Sequence, residues 1–277
     1  MTDWRDQLAG PDDHLVEVDG DTIVPTRLCG GPWSPDAQHG SAAAATLAWA
    51  IEQAELPVPM RPVRFTVDLL SPVPLTPLRW ESTVVKAGKR IAVVDAALYD
   101  GERVATRATA LLMRREATIE VPAGANVTPD PPMPPREPIP EHDFDTESTD
   151  WTPPGFAFAM DYERTAGGIG QGSPACIWMR LRTKVVAGEE PTPFQWLAAA
   201  ADMGSQLGGY LPYDTFRTIN ADITAHITRL PSTPWIGMDG VHRVSADSIG
   251  QTNASMFDEE GFVAQMQSSV HIDRWGD

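Results

Sequence analysis

The strongest constraint on this chain is an order of elements that occurs twice: one long apolar helix, then four strands, on either side of a proline-rich connector. Eight prolines fall between Pro122 and Pro140, and the acidic, polar stretch Glu141 to Asp150 follows them. Proline lacks an N–H and fixes φ, so such a segment sustains neither a helix nor a central strand and reads as an extended link. The sequence therefore predicts an N-terminal domain at 1–118, a linker at 119–150 and a C-terminal domain at 151–277.

In the first half, Ser41 to Glu55 is rich in strong helix formers, with Pro57 as a stop. Strand-like runs follow at Val63–Leu70, Leu78–Lys86, Arg90–Tyr99 and Arg103–Arg114, the last two separated by the tight-hairpin signal Asp100-Gly101. In the second half, Thr192-Pro193-Phe194-Gln195 has the form of a capping box, and the helix is expected to reach Leu207 and stop at Gly208-Gly209. Four runs come again, at Thr218–Thr228, Ile236–Ser245, Gly250–Phe257 and Phe262–Ile272, with Glu260-Gly261 where Asp100-Gly101 stood. Further strand candidates precede each helix, at Leu15–Arg27, Phe156–Arg164 and Ala175–Val186. From Ile219 to Thr228 apolar and polar residues alternate over ten positions, which predicts one apolar and one polar face, with Asn220 on the polar one. Helices apolar nearly all round must be buried, so the expected architecture is α+β and pseudo-symmetric.

The formal net charge of −17, with nothing in the sequence that resembles a basic stripe, argues against broad nucleic-acid binding, and no apolar run approaches the roughly 18 residues of a membrane span. The start carries no secretory signal, and Cys29 and Cys176 have no metal-type spacing, so a cytoplasmic home and no metal are expected. Neither a Gly-rich phosphate loop nor an HExxH or GxSxG pattern occurs.

Several short motifs carry a resemblance. They are Gly31-Pro32-Trp33, Gln38-His39-Gly40 opening an Ala-rich helix, Ala200-Ala201-Asp202, Ile219-Asn220-Ala221-Asp222 leading to Arg229-Leu230-Pro231 and Trp235, and Gly261-Phe262-Val263-Ala264 before Gln267-Ser268. In this order they resemble the double-hotdog thioesterases related to type II acyl-CoA thioesterase, over roughly Asp12 to Asp273. The resemblance implies a tandem hotdog, each half a long central helix wrapped by a curved antiparallel sheet. It implies hydrolysis of fatty acyl-CoA without cofactor, metal or covalent nucleophile. A helix Asp, a Thr or Asn on the next strand and a Gln on the last strand would hold the attacking water. By motif these are Asp202, Asn220 and Gln267, with Gln265 the rival for the last place because it lies on the same strand face. Association into homo-oligomers through sheet edges or faces is an expectation of the same architecture.

The chemistry is sound on its own terms. A thioester is already activated, so an oriented water and a carboxylate base suffice once the carbonyl oxygen is polarised. Free N–H groups at a helix N-terminus do that, and the His39-Gly40-Ser41 turn is the natural donor, with glycine allowing close approach. His39 reads as a residue that fixes this turn by a hydrogen bond. Arg229 reads either as a clamp on the loop before Trp235 or as a contact to a CoA phosphate. Two rival functions stay open: a non-catalytic hotdog that binds acyl-CoA or lipid, and an enoyl-CoA hydratase using Asp36 near His39.

Overall fold

A computed structural model of the chain describes residues 8–115, 155–166, 175–207, 211 and 215–274, together with 120, 122, 124, 129–134 and 136 of the connector. The expected stop at Gly208-Gly209 lies outside them. The first half runs β1 (His14–Asp19), β2 (Thr22–Pro25), α1 (Gly40–Glu52), β3 (Met60–Asp68), β4 (Leu78–Ala87), β5 (Ile91–Asp100) and β6 (Arg103–Arg114). The second runs β7 (Met160–Ala166), β8 (Ala175–Leu181), β9 (Lys184–Val186) and α2 (Pro193–Ala201). It continues with β10 (Phe216–Asn220), β11 (Asp222–Ile227), β12 (Trp235–Val244), β13 (Ile249–Asp258) and β14 (Gly261–Arg274). Among the described residues, no helix is long and apolar enough to cross a membrane.

Among the described residues all the strands belong to one 14-stranded sheet in the order β7-β8-β12-β13-β14-β11-β3-β6-β5-β4-β2-β1-β9, with β10 added against β14. The halves meet within it twice. β3 pairs antiparallel with β11, placing Phe65 opposite Ala225, and β1 pairs parallel with β9. The sheet is therefore mixed, and its junctions cross the boundary between the halves.

Residues Ser41 to Ile51 of α1 and Ala198 to Ala201 of α2 are all buried, which explains the alanines. Helices approach closely only where side chains are small, and these two pack against each other. Their contact is tied across the halves by polar groups at one end. Glu52 accepts from the Thr192 hydroxyl at 2.8 Å and from Gln195 Nε2 at 2.7 Å, while Trp49 Nε1 donates to Glu189 at 2.9 Å. Phe65 and Phe194 meet edge to face at 5.0 Å, a contact of about 0.5–1.5 kcal/mol beyond its buried area.

Three expectations change. The Thr192 cap forms as read, its hydroxyl accepting from Gln195 N–H, but α2 ends at Ala201 and Asp202–Gln206 winds on as a 3-10 helix. The candidate strand at Phe156–Arg164 begins as a 3-10 helix at Gly155–Ala159. The single strand expected over Thr218–Thr228 is broken at Ala221. Asn220 pairs with Val270 while Thr224 pairs with Gln267, so one strand has an extra residue relative to its partner. Ala221 N–H donates to Ser269 O, and Ser269 N–H donates to the Asp222 carboxylate. This is a β-bulge, and it reverses the side-chain phase. Asn220 and Ile223 both point inward, and Asn220 leaves the polar face on which simple alternation placed it.

Candidate active site

Asp202 is set at the change from α-helix to 3-10 helix, and only 7% of it is exposed. Its carboxylate faces the beginning of α1 from the other half. His39 Nδ1 lies 3.0 Å from Oδ2, and Asn220 Nδ2 donates to Oδ1 at 2.7 Å and to the Asp202 carbonyl at 2.8 Å. Both partners of that amide nitrogen are acceptors, which fixes the orientation of the Asn220 amide. Asn220 Oδ1 is left buried without a partner.

The His39 tautomer follows from the same reasoning. Nδ1 lies 3.1 Å from Ser41 N as well as against the carboxylate. An unprotonated Nδ1 would set its lone pair against a carboxylate lone pair, so Nδ1 carries the proton and donates to Asp202. The Ser41 N–H then serves Asp202 too. His39 is held on its remaining sides, its ring stacked on Phe156 at 4.9 Å and its backbone N–H donating to Cys29 O at 2.7 Å.

Burial by itself would push the Asp202 carboxyl upward. The hydrogen bond and charge of His39, then Asn220 and the Ser41 N–H, outweigh it and hold the group below the usual carboxylate range. The start of α1 adds its positive end. Asp202 is therefore an ionised, nearly dry carboxylate.

Gly40 is the third component. A Cβ at this position would sit 2.6 Å from both carboxylate oxygens of Asp202, so any other residue there displaces the carboxylate or the helix. As the first residue of α1 its N–H has no intrahelical acceptor, and it meets none among the described residues. A free donor and an ionised base thus stand side by side, one from each half.

The motif residues divide accordingly. Asp202, Asn220, His39, Gly40 and Ser41 come together. The Ser41 N–H, expected to serve the substrate oxygen, instead faces His39 Nδ1 and Asp202, and His39 lies within hydrogen-bond reach of Ser41 N at the turn that the sequence assigns it to fix. Gln267 does not join them. It is exposed on the outer face of β14, and Gln265 on the same face bonds Ser255 and Ala254 O. Strand phase is the reason: the inward positions of this stretch are Met266 and Ser268, and either glutamine is one residue out of step. Asp36 is exposed and does not form the Asp–His pair of the hydratase reading.

Two further groups are accounted for. Arg229 grips the fully buried Asp258, with Nη1 at 2.6 Å from Oδ2, and also donates to Gly261 O, so it clamps the loop before Trp235. Asp258 is pushed up by burial, but Arg229 and N–H donors from Ser232 and Glu260 bring it to about 2. Cys29, next to His39 through its carbonyl, is no thiolate: burial pushes the thiol up to about 12.

Comparison with known proteins adds to this geometry. Residues 30–113 match the family model of the acyl-CoA thioesterase N-terminal domain, and residues 131–271 that of the acyl-CoA thioesterase C-terminal domain. No curated protein is similar enough in sequence to match. Among solved structures, a tesB protein of Mycobacterium avium subspecies paratuberculosis is similar at TM-score 0.66 and 12% identity, covering 93% of this chain and 95% of that one. A conserved protein of unknown function with hot dog fold from Alicyclobacillus acidocaldarius is similar at 0.66 and 18% identity, covering 95% and 97%. An acyl-CoA thioesterase II, TesB2, from Mycobacterium marinum reaches 0.62 at 13% identity, covering 94% and 96%. At such identities these structures establish the hotdog fold alone.

Proposed function

This chain belongs to the acyl-CoA thioesterase family, and we propose that it hydrolyses fatty acyl-CoA at one site shared by its two halves, with Asp202 as the base. The fold would be a tandem hotdog, each half wrapping its curved antiparallel sheet around its own helix, and the enzyme would work in the cytoplasm. The first half supplies Gly40 and the second supplies Asp202 and Asn220.

In this reading a water oxygen attacks the thioester carbonyl carbon while Asp202 takes one of the water protons. The carbonyl oxygen, now negative, is met by the Gly40 N–H at the start of α1. The C–S bond then breaks as the carbonyl re-forms. Sulfur leaves with the electron pair and accepts the proton from Asp202, which gives the free acid and the CoA thiol. His39 acts on Asp202 rather than on the substrate, holding the carboxylate in place and ionised.

The observation that carries this reading is the contact between Asp202 and Gly40. A buried carboxylate is held ionised against a free backbone N–H, with glycine keeping the space between them clear. Thiol release measured across short, medium and long acyl-CoAs tests it and sets the chain length. Release with one preferred length is expected. Tight binding without release would favour a non-catalytic carrier, and loss of enoyl absorbance with the thioester intact would favour a hydratase.

A further inference from the structure

β14 presents a second polar group to the interior beside Asn220. Ser268 is 2% exposed, and its hydroxyl has no hydrogen-bond partner. Asn220 pairs with Val270, two residues further along β14, so Asn220 and Ser268 are diagonal neighbours on one face. The 3-10 helix carrying Asp202 crosses the same place. Asp202, at its start, is bonded to Asn220, and Gly204, two residues on, lies so close to Met266 that a Cβ would collide with its methyl. Ser268 sits on β14 between those two points.

The duplication provides an internal control. Aligning the hairpins on their closing pairs, Asp100–Arg103 and Asp258–Gly261, places Ala110 at the position of Ser268, and Ala110 lies between Val94 and Phe65. The half without the carboxylate is apolar where the half with it is polar. A buried hydroxyl left unpartnered is unfavourable, whereas alanine at the same position is not. Two unpartnered atoms, Asn220 Oδ1 and Ser268 Oγ, therefore lie on the inner face of the sheet, on strands packed against the 3-10 helix that carries Asp202.

We propose that Ser268 is a catalytic residue that holds the attacking water together with Asp202 and Asn220, the place the motif reading gave to Gln267. This rests on the hydrolytic reading above. A water molecule has two O–H groups and two lone pairs. One O–H goes to Asp202, which takes that proton in the reaction, and the other goes to Asn220 Oδ1. The Ser268 hydroxyl donates to one lone pair and leaves the other for the carbonyl carbon. The Ser268 hydrogen returns unchanged, so protons balance as in the hydrolysis itself.

The test is Ser268→Ala against Ser268→Thr, with kcat, KM and thermal midpoint measured for each on the acyl-CoA that the parent enzyme prefers. For Ser268→Ala, kcat is expected to fall about 10- to 100-fold, with KM within about twofold and a midpoint equal to or above the parent's. Ser268→Thr keeps the hydroxyl and should recover most of the rate. If the alanine variant does not fold, Ser268→Cys carries the test, since a thiol is a poor donor and should lose rate in the same way. A parent-like kcat in the folded alanine or cysteine variant would overturn the assignment of Ser268 and leave the hydrolytic reading standing. A parent enzyme that releases no thiol from any acyl-CoA would overturn both.

Discussion

Burial alone would raise the Asp202 carboxyl, yet the donors around it win, and the difference has a defined pH signature. An unfolded Asp titrates near 3.9, and the folded group lies lower. Its contribution to stability is therefore present above that unfolded value and disappears as pH falls through the folded one. The acid limb of kcat/KM should likewise lie below about pH 4 in the parent enzyme. Asn220→Ala removes one of the donors to the carboxylate and should move that limb upward while lowering the rate. A pH–rate profile of both proteins checks this, and a parent limb near pH 6 to 7 would contradict the charge balance described for Asp202. Asp202, Asn220 and Gly40 were legible as motif positions in the sequence. Their mutual contacts were not, because Asp202 and Gly40 are 162 positions apart and meet only through α1–α2 packing.

At the level of elements, the helices and hairpins followed from local patterns, and the errors in side-chain facing share one cause. Alternation over Thr218–Thr228 assumes an unbroken strand, but the bulge at Ala221–Asp222 turns Asn220 inward. On β14 an error of one residue separates the exposed Gln267 from the buried Ser268. A period of two makes side-chain facing hostage to a single inserted residue, and nothing in the composition of Asn-Ala-Asp announces the insertion. The beginning of α1 offers a sharper test. In Gly40→Ala the new methyl would overlap the Asp202 carboxylate, so either the carboxylate or the helix must shift. A loss of kcat beyond about 100-fold is expected, with a stability cost of about 1–3 kcal/mol. Rate and denaturant midpoint measure the two effects, and an unchanged rate would contradict the close approach.

On the scale of the whole molecule, the two halves look separable in sequence and are joined in structure. The proline-rich connector suggests independent domains, yet β3–β11 and β1–β9 pairing, the α1–α2 contact and the Glu52 to Thr192 and Gln195 bonds all cross between them. Composition reveals a link between segments but carries no trace of long-range strand pairing. Unfolding should therefore be one cooperative transition, with tryptophan circular dichroism and loss of thiol release coinciding. Two resolved steps would show halves that fold alone. A site divided across that joint is the centre of the account, with the carboxylate of one half working beside the helix start of the other. The most direct test is thiol release from the preferred acyl-CoA by Asp202→Asn, which keeps the shape and removes the base. In this variant kcat should fall by about 10²–10⁴-fold with the fold intact by circular dichroism; a folded variant turning over at the parent rate would contradict a base role for Asp202.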